Sequence, residues 1–375
     1  MPILSEETIR ETLDAYLANG SSQRATAKVL GIARSTLQER LKQAARLGRA
    51  PGHFDYGTAP GYHMGKVTIQ RNADGQVERV WERQHPQSGI AMDAVVEAMK
   101  GEIAPVAPTA APVAVQDHLL TLYTFTDFHL GALCWHKEGG ADWDVQIAER
   151  TGVSAMQALI ASTPPAGVGV VNIQGDFLHS DGLVPATPAS GHILDADSRF
   201  GKVVEVAIRL IRTLVDLALR KHETVHLVIA EGNHDPASSL WLRKMFRALY
   251  EQEPRLTVND SEIPYYAIEW GYTLLGFHHG HIRKNDQLPA MFAAQYREAW
   301  GKARHTVIHT GHRHHLEVKE HSGAIVVQHP TLAARDAYAS RGGWHSERAM
   351  TAITYHKAYG EVGQCRVTPL MLEAA

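Results

Sequence analysis

The sequence predicts a layered α/β sandwich preceded by a small all-helical module, on three observations. Beyond residue 117, β-prone runs alternate with helical segments and then give way to strand-dominated sequence. Five of these runs end in polar clusters rich in histidine and aspartate, where open α/β sheets gather their active residues. The first 50 residues instead read as three short helices with a surplus of basic side chains. The chain has 375 residues, of which 44% are hydrophobic and 21% charged, and a net charge of −3. That is an ordinary globular composition with an ample core. No stretch approaches the ~20 apolar residues of a membrane span, and the N-terminus MPILSEETIR has no signal-peptide character. The two cysteines, Cys134 and Cys365, support neither a disulfide framework nor a multi-thiolate zinc site. A cytoplasmic location is expected. Histidine is the outlier: all but three of the 23 lie beyond residue 117.

In the first segment, Thr8, Ile9, Leu13 and Leu17 space an apolar helical face that ends at Asn19-Gly20. Ser21-Ser22 then precede QRATAKVLG, and Gly31 breaks the chain before ARSTLQERLKQAARLG. Helix, glycine turn, second helix is the helix-turn-helix pattern. Ala25, Ala27 and Leu30 supply packing in one segment; Ile32, Leu37 and Leu41 do so in the next. Seven basic residues (Arg24, Lys28, Arg34, Arg40, Lys42, Arg46, Arg49) face Glu39 alone, a local charge of +6. Such a balance suits nucleic acid; a helical oligomerisation module is the alternative. AKVLGIARSTLQERLKQA resembles a Fis-type DNA-binding helix-turn-helix. The resemblance implies a third helix in the major groove, with Arg34, Ser35, Thr36 and Gln38 near base edges. Arg24, Lys42 and Arg46 would lie nearer phosphates. DNA is therefore the expected partner, and paired half-sites make a homodimer an expectation.

Residues 50–103 form a connector. KVTIQ and VERVWER flank the turn signal Asn72-Ala73-Asp74-Gly75, predicting a hairpin, and MDAVVEAMKGEI (92–103) reads as a short helix. The stretch 104–116 (APVAPTAAPVAVQ) is a proline-punctuated linker, so the expected domains are 1–49, 50–103, 104–116 and 117–375. From residue 118, HLLTLYTFT, GVGVVNIQG, ETVHLVIAEG, YTLLGFHHG, RHTVIHTG and AIVVQHP read as strands, with a last strand near 349–356. DVQIAERTGVSAMQALIAS, RFGKVVEVAIRLIRTLVDLALRK and residues 287–303 read as helices.

Five strand ends matter. They carry Asp127-Phe128-His129; Gly175-Asp176 with His179; Gly232-Asn233-His234-Asp235; His278-His279-Gly280-His281; and Gly311-His312-Arg313-His314-His315. A period-two backbone would send Asp127 and His129 to one side, and likewise His312 and His314. Glycines before Asp176, Asn233 and His312 allow sharp turns and close backbone approach.

This ordered set resembles the calcineurin-like metallophosphoesterase superfamily across residues 119–330. The resemblance implies a four-layer αββα sandwich, a double β-sandwich flanked by helices, with a dinuclear metal centre at its edge. Carried over by position, one metal would take Asp127, His129, Asp176 and His314. The other would take Asp176, Asn233, His279 and His312, so that Asp176 bridges. Mixed imidazole, carboxylate and amide donors suit two divalent ions, Mn2+ first, with Fe, Zn or Ni as alternatives. Two such ions about 3.5–4 Å apart lower the pKa of a bound water and stabilise in-line displacement. His234 holds the position that orients the phosphate or protonates the leaving oxygen. Of the three histidines in HHGH, the family pattern selects His279; His278 is expected in the strand layer and His281 at the rim. His309, His315, His321 and His329 receive no role.

Many phosphatases of this superfamily have aspartate where this chain has His179. A histidine there resembles the DNA-repair exonuclease branch, where it assists phosphodiester cleavage; the other reading places it behind the ligands. The insert 184–200 and the segment 335–348 are expected to face substrate, with Arg199, Arg283, Lys284 and Arg341 as phosphate contacts. His222-Glu223-Thr224-Val225-His226 matches HExxH by letter, but it enters a strand, where the histidines would stand ~13 Å apart. Neither a GxSxG elbow nor a Walker A loop occurs. The sequence thus predicts a metal-dependent phosphodiesterase, a DNA nuclease targeted by its helix-turn-helix; this combination of a catalytic pattern with a small N-terminal module resembles phage or prophage proteins. The alternatives are a phosphomonoesterase, protein phosphatase or cyclic-nucleotide phosphodiesterase, and a DNA-binding regulator with a non-catalytic domain.

Overall fold

The computed structural model describes residues 4–46, 62–71, 77–86 and 106–373. The chain divides into two compact units, Met1–Gly89 and Ile90–Ala375. In the first, α1 (Glu6–Ala18), α2 (Gln23–Val29) and α3 (Arg34–Arg46) are the three expected helices. Ser5 Oγ accepts the Thr8 N–H (3.2 Å) and Ser22 Oγ the Ala25 N–H (3.3 Å), satisfying first-turn donors that the helices cannot pair themselves. Ile9, Leu13 and Ala44 form a small core with Leu4 and Leu41 against it. β1 (Tyr62–Arg71) and β2 (Val77–Pro86) pair antiparallel, as the hairpin reading requires. The turn at Asn72–Gly75 and the expected helix over 92–103 lie outside the described residues.

The second unit is built on two sheets. One has six strands in the order β13-β12-β3-β4-β5-β6. Its members are β3 (Gln116–Phe125), β4 (Ala166–Ile173), β5 (Thr224–Ile229), β6 (Leu256–Val258), β12 (Met350–His356) and β13 (Gly360–Val367). The other has the order β10-β11-β9-β8-β7. It comprises β7 (Tyr266–Trp270), β8 (Thr273–Phe277), β9 (His305–Thr310), β10 (Glu317–His321) and β11 (Ala324–Gln328). Strands β3, β4, β5 and β6 run parallel, as do β8, β9 and β11. Leu120, Leu122, Val170 and Val228 from one sheet meet Leu275, Phe277, Val307 and Val327 from the other in a buried layer.

Helices close both outer faces. α4 (Val145–Ser162), α5 (Phe200–Lys221) and α6 (Pro236–Leu249) contribute Met156, Leu159, Ile208, Leu214 and Phe246 to a core with Tyr123, Phe125, Val171 and Leu227. On the far side, α7 (Leu288–Gln295) sets Leu288 and Phe292 against Ile308 and Val326. The result is the four-layer αββα sandwich. Alternation of faces explains why residues 120–125 are buried throughout: odd and even side chains enter different cores.

Several elements differ from the expectation. The helix over 287–303 breaks at Tyr296 (φ −118°, ψ 50°) into α7 and α8 (Arg297–Lys302). α6 and the strands β6, β7, β10 and β13 were not expected. α6 escapes the pattern because the polar Ser238, Ser239 and Arg243 lie on its buried side. The first part of the Ala/Pro stretch is docked: Val106 is buried, and the Thr109 N–H donates to Glu253 Oε2 (2.7 Å). Arg255 donates to the Thr109 carbonyl (2.6 Å), so both backbone groups find partners that a free linker would leave to water. In HExxH, His222 caps the C-terminus of α5 and His226 lies on β5, so no helix presents the two together.

Candidate metal centre

All five expected clusters sit just beyond the C-terminal ends of parallel strands: β3, β4 and β5 in one sheet, β8 and β9 in the other. The ends converge. Asp127, His129 and His314 bring ligand atoms within 4.8 Å of one another, and so do Asp176, His279 and His312. The Nε2 of His279 stands 3.0 Å from Asp176 Oδ2 and 3.8 Å from Asp127 Oδ1, while His314 Nε2 is 3.1 Å from Asp127 Oδ1. The two carboxylates therefore lie between the two sets of imidazoles.

The convergence does not come from strand alternation. Asp127, His129, Asp176, His312 and His314 have φ of 48°, 45°, 50°, 71° and 56°, in the left-handed region. They are five of the six non-glycine residues with positive φ among the described residues. Each such conformation costs of order 1–2 kcal/mol and persists where the surroundings over-determine it, as at ligand clamps. Close approach holds the loops there. A Cβ on Gly175 (φ 94°) would stand 2.6 Å from His279 Nδ1, and one on Gly311 2.6 Å from Asp127 Oδ2.

Backbone donors fix the carboxylates. The His312 N–H donates to both Asp127 oxygens (3.0 and 2.9 Å), and Thr126 Oγ1 adds a bond of 2.6 Å. The His234 N–H donates to Asp176 Oδ1 (2.8 Å). Against the upward push of burial, His279 holds Asp176 well below the usual carboxylate range. Burial and neighbouring histidines hold His129 well below its ordinary value, so it is neutral, the form that ligates.

The donor set fits divalent metal. Asn233 Oδ1 is buried without a hydrogen-bond partner, the state of an amide oxygen meant for a cation. His279 Nδ1 donates to the Gln174 carbonyl (2.9 Å), which leaves Nε2 as the ligating nitrogen. His129 Nε2 and His314 Nε2 face each other at 3.2 Å. His278 is buried and stacks on Tyr265 (centroids 4.7 Å apart), away from the carboxylates, and His281 lies beside His279 and His312 at 5.3 and 6.3 Å.

Two further histidines meet this centre. His234 Nδ1 donates to the His179 carbonyl (2.8 Å), which leaves Nε2 as its free ring nitrogen. The buried His179 ring sets Nδ1 3.3 Å from His129 Nδ1, and burial pushes it down to about 3. With His129 Nε2 turned to His314, its Nδ1–H can donate to His179. That geometry favours the reading of His179 as the group behind a ligand. The ring nitrogens of His129, His179 and His234 also lie within 4.8 Å. An imidazole that carries its proton on Nδ1 cannot ligate through that atom, so with Nδ1 of His129 turned to His179 only its Nε2, on the His314 side, is open to a cation.

Asp235 was overlooked in the GNHD run. Its buried carboxylate accepts the N–H groups of Asp176 (3.1 Å), Phe177 (2.8 Å), Leu178 (3.1 Å) and Gly232 (3.1 Å). The signal available was position alone: an acid two residues after the candidate ligand Asn233, at the start of a helix. Asp181 similarly accepts the Ala237 and Ser238 N–H groups (2.8 and 2.7 Å).

On the helical unit, Arg24, Arg34, Ser35, Thr36, Gln38 and Lys42 are all exposed; the Arg46 side chain lies outside the described residues. Arg34 and Gln38 both donate to Gln23 Oε1 (3.5 and 3.0 Å), tying the start of α3 to α2. Arg199, Arg283, Lys284 and Arg341 are exposed as well. Among the described residues no helix is long and apolar enough to cross a membrane.

Residues 9–54 match the family described as the PucR C-terminal helix-turn-helix domain, in place of the Fis-type motif. No curated protein matches the chain. Similar solved structures include a dimetal phosphatase from Danio rerio (9% identity, TM-score 0.38, covering 67% of this chain and 99% of that one). A novel archaeal phosphodiesterase is 11% identical (TM-score 0.34, covering 66% and 99%). Wild-type Vps29 complexed with Zn2+ from Entamoeba histolytica is 15% identical (TM-score 0.28, covering 66% and 98%).

Proposed function

We propose that this protein is a metal-dependent phosphodiesterase of the calcineurin-like type, acting on nucleic acid and brought to DNA by its helix-turn-helix. The observation that carries the reading is the pair of facing clusters held by left-handed backbone, with Asp127 and Asp176 between them. Asp127, His129, Asp176 and His314 would hold one divalent ion, and Asp176, Asn233, His279 and His312 the other; manganese is the expected metal. When bound, such ions supply Lewis-acid polarisation of a phosphoryl group and a nucleophile available near neutral pH.

The chain's own residues do the rest. His312 and Thr126 orient Asp127, and Gln174 orients His279, so the ligating atoms are set before substrate arrives. His234, steered by the His179 carbonyl, turns Nε2 towards the phosphate and serves the leaving oxygen. The helix-turn-helix raises the local concentration of substrate through its tether, with Arg34, Ser35, Thr36 and Gln38 at base edges and Arg24 and Lys42 at phosphates.

The test is a nuclease assay with manganese on single- and double-stranded DNA, using wild type and Asn233→Ala. Cleavage abolished by the substitution supports the reading. Turnover of phosphomonoesters with no cleavage of either DNA moves the substrate class, and no metal-dependent hydrolysis of any phosphate ester defeats it.

A further inference from the structure

A cavity of ≈ 240 Å³ opens beside the histidine cluster, lined by His179, His192, Ile193, Asp336, Tyr338 and Arg341 among others. His179 connects it to the centre, with its ring 3.3 Å from His129 and stacked 5.6 Å from His234. One wall is a small hairpin in the insert, closed by the Ala186–Ile193 bridge and by the Leu194 N–H to the Pro185 carbonyl (2.9 Å). Its base is bonded to the loop after His129 through Leu133 to Asp195 and Asp197 to Gly131, both 2.9 Å. The other wall is the short helix α9 (Ala337–Arg341), capped by Asp336.

Tyr338 and Ile193 of the lining, and Trp344 just outside it, are open to solvent. Tyr338 is 59% exposed, Trp344 57% and Ile193 82%. The Tyr338 ring lies 5.3 Å from Trp344 and 5.2 Å from His192. Single exposed apolar side chains are ordinary, but an aromatic group gathered next to a reacting centre and beside the cation of Arg341 is a binding surface. The volume is below the roughly 300–1,000 Å³ of a drug-sized ligand pocket, which leaves room for one flat ring system.

We propose that this cavity is a stacking subsite for an unpaired nucleobase attached to the phosphodiester held at the metal cluster. The inference rests on the phosphodiesterase reading and deepens it: the preferred substrate is a single strand or a frayed strand end. Tyr338 offers a ring face from the wall and Trp344, 5.3 Å from it, extends that surface at the mouth, a sequence-tolerant contact because every base has a face. Arg341 faces the adjoining phosphate. A base inside a duplex must leave its stack to enter, so paired DNA is a poorer substrate at this site.

Two phosphodiesters that differ only in the nucleoside test it on the full chain: thymidine 5′-(p-nitrophenyl phosphate) and methyl p-nitrophenyl phosphate. Both are too small to engage the helix-turn-helix. In wild type the nucleoside ester should have the lower KM. The double variant Tyr338→Ala/Trp344→Ala should raise that KM by roughly 10–100-fold, with kcat and the methyl ester little changed. Tyr338→Phe, which keeps the ring, should behave as wild type. Equal losses on both esters, or none on either, overturn the subsite. If the wild type hydrolyses neither ester with manganese, the phosphodiesterase reading fails separately. The subsite is then judged by binding of thymidine 5′-monophosphate, read from the Trp344 component of the fluorescence. Binding unchanged in Tyr338→Ala overturns it.

Discussion

Replacing Asp235 by asparagine tests whether one carboxylate organises the loop that carries Asp176. The buried side chain accepts two backbone N–H groups at each oxygen: Asp176 and Gly232 at Oδ1, Phe177 and Leu178 at Oδ2. Burial and the negative Asp176 push its pKa up, towards about 7, while the N–H donors favour the carboxylate. Asparagine keeps the shape but turns one acceptor into an NH2 that faces two donors. Each buried donor left unpaired costs about 1–3 kcal/mol, so the loss should be about 2–6 kcal/mol. Against a total stability of ~5–15 kcal/mol this is large but survivable. Alanine strands all four donors and should leave little folded protein. For a unit of this size, a loss of about 3 kcal/mol lowers Tm by roughly 6–12 °C. Calorimetry of the metal-free protein measures that shift. Manganese titration should show affinity weakened by about 10–100-fold, because the Asp176 backbone is no longer held. If Asp235→Asn melts within a degree of wild type and binds metal equally well, the carboxylate does not organise this loop.

Four other outcomes follow from the same geometry. Asn233→Ala should reduce the metal bound per chain, measured by elemental analysis, and lower hydrolysis by about 100-fold or more. His179→Ala should weaken manganese binding by about 10–100-fold by freeing the His129 ring; calorimetric titration checks this, and unchanged affinity would return His179 to the substrate. His222, bonded to Tyr123 and the Ala166 carbonyl, is pushed by burial down to about 4, whereas unfolded histidine takes its proton near ~6.5. The native state therefore binds fewer protons in that window, and about 3 kcal/mol is lost as pH falls from ~6.5 to about 4. His222→Gln should flatten that limb of the Tm–pH curve. Finally, Arg24→Ala should weaken DNA binding at all sequences and reduce the salt slope by about one, whereas Arg34→Ala should relax sequence preference; anisotropy at several salt concentrations separates the two.

The fold was legible where the chain is most repetitive. Continuous β-branched runs such as VVNI and HLVI predict strands buried on both faces, and the long apolar periodicity of residues 200–221 predicts a helix. α6 was hidden because its buried side includes Ser238, Ser239 and Arg243. Arg243 Nη1 donates to the Ile229 carbonyl (2.9 Å) and to Tyr266 Oη (3.0 Å), partners that no local pattern reveals. The edge strands β10 and β13 were missed because they are largely exposed and carry mixed sequence.

The residue types of the five clusters, their order and their placement after strands were determined by the sequence alone, because strand periodicity and short polar clusters are local properties. How the side chains meet is not local. Asp127 and His129 share a cluster through two left-handed residues, not through alternation along β3. Those conformations are held by contacts between the ends of two separate sheets, with Gly311 pressed against Asp127 and Gly175 against His279. Neighbouring strand ends within one sheet turn the His179 ring onto His129 and give Asp235 four donors from two loops, and tertiary packing gathers Tyr338 and His192 from segments some 150 residues apart. Packing of strand ends within one sheet and of one sheet on the other sets these relations, and no spacing along the chain encodes them.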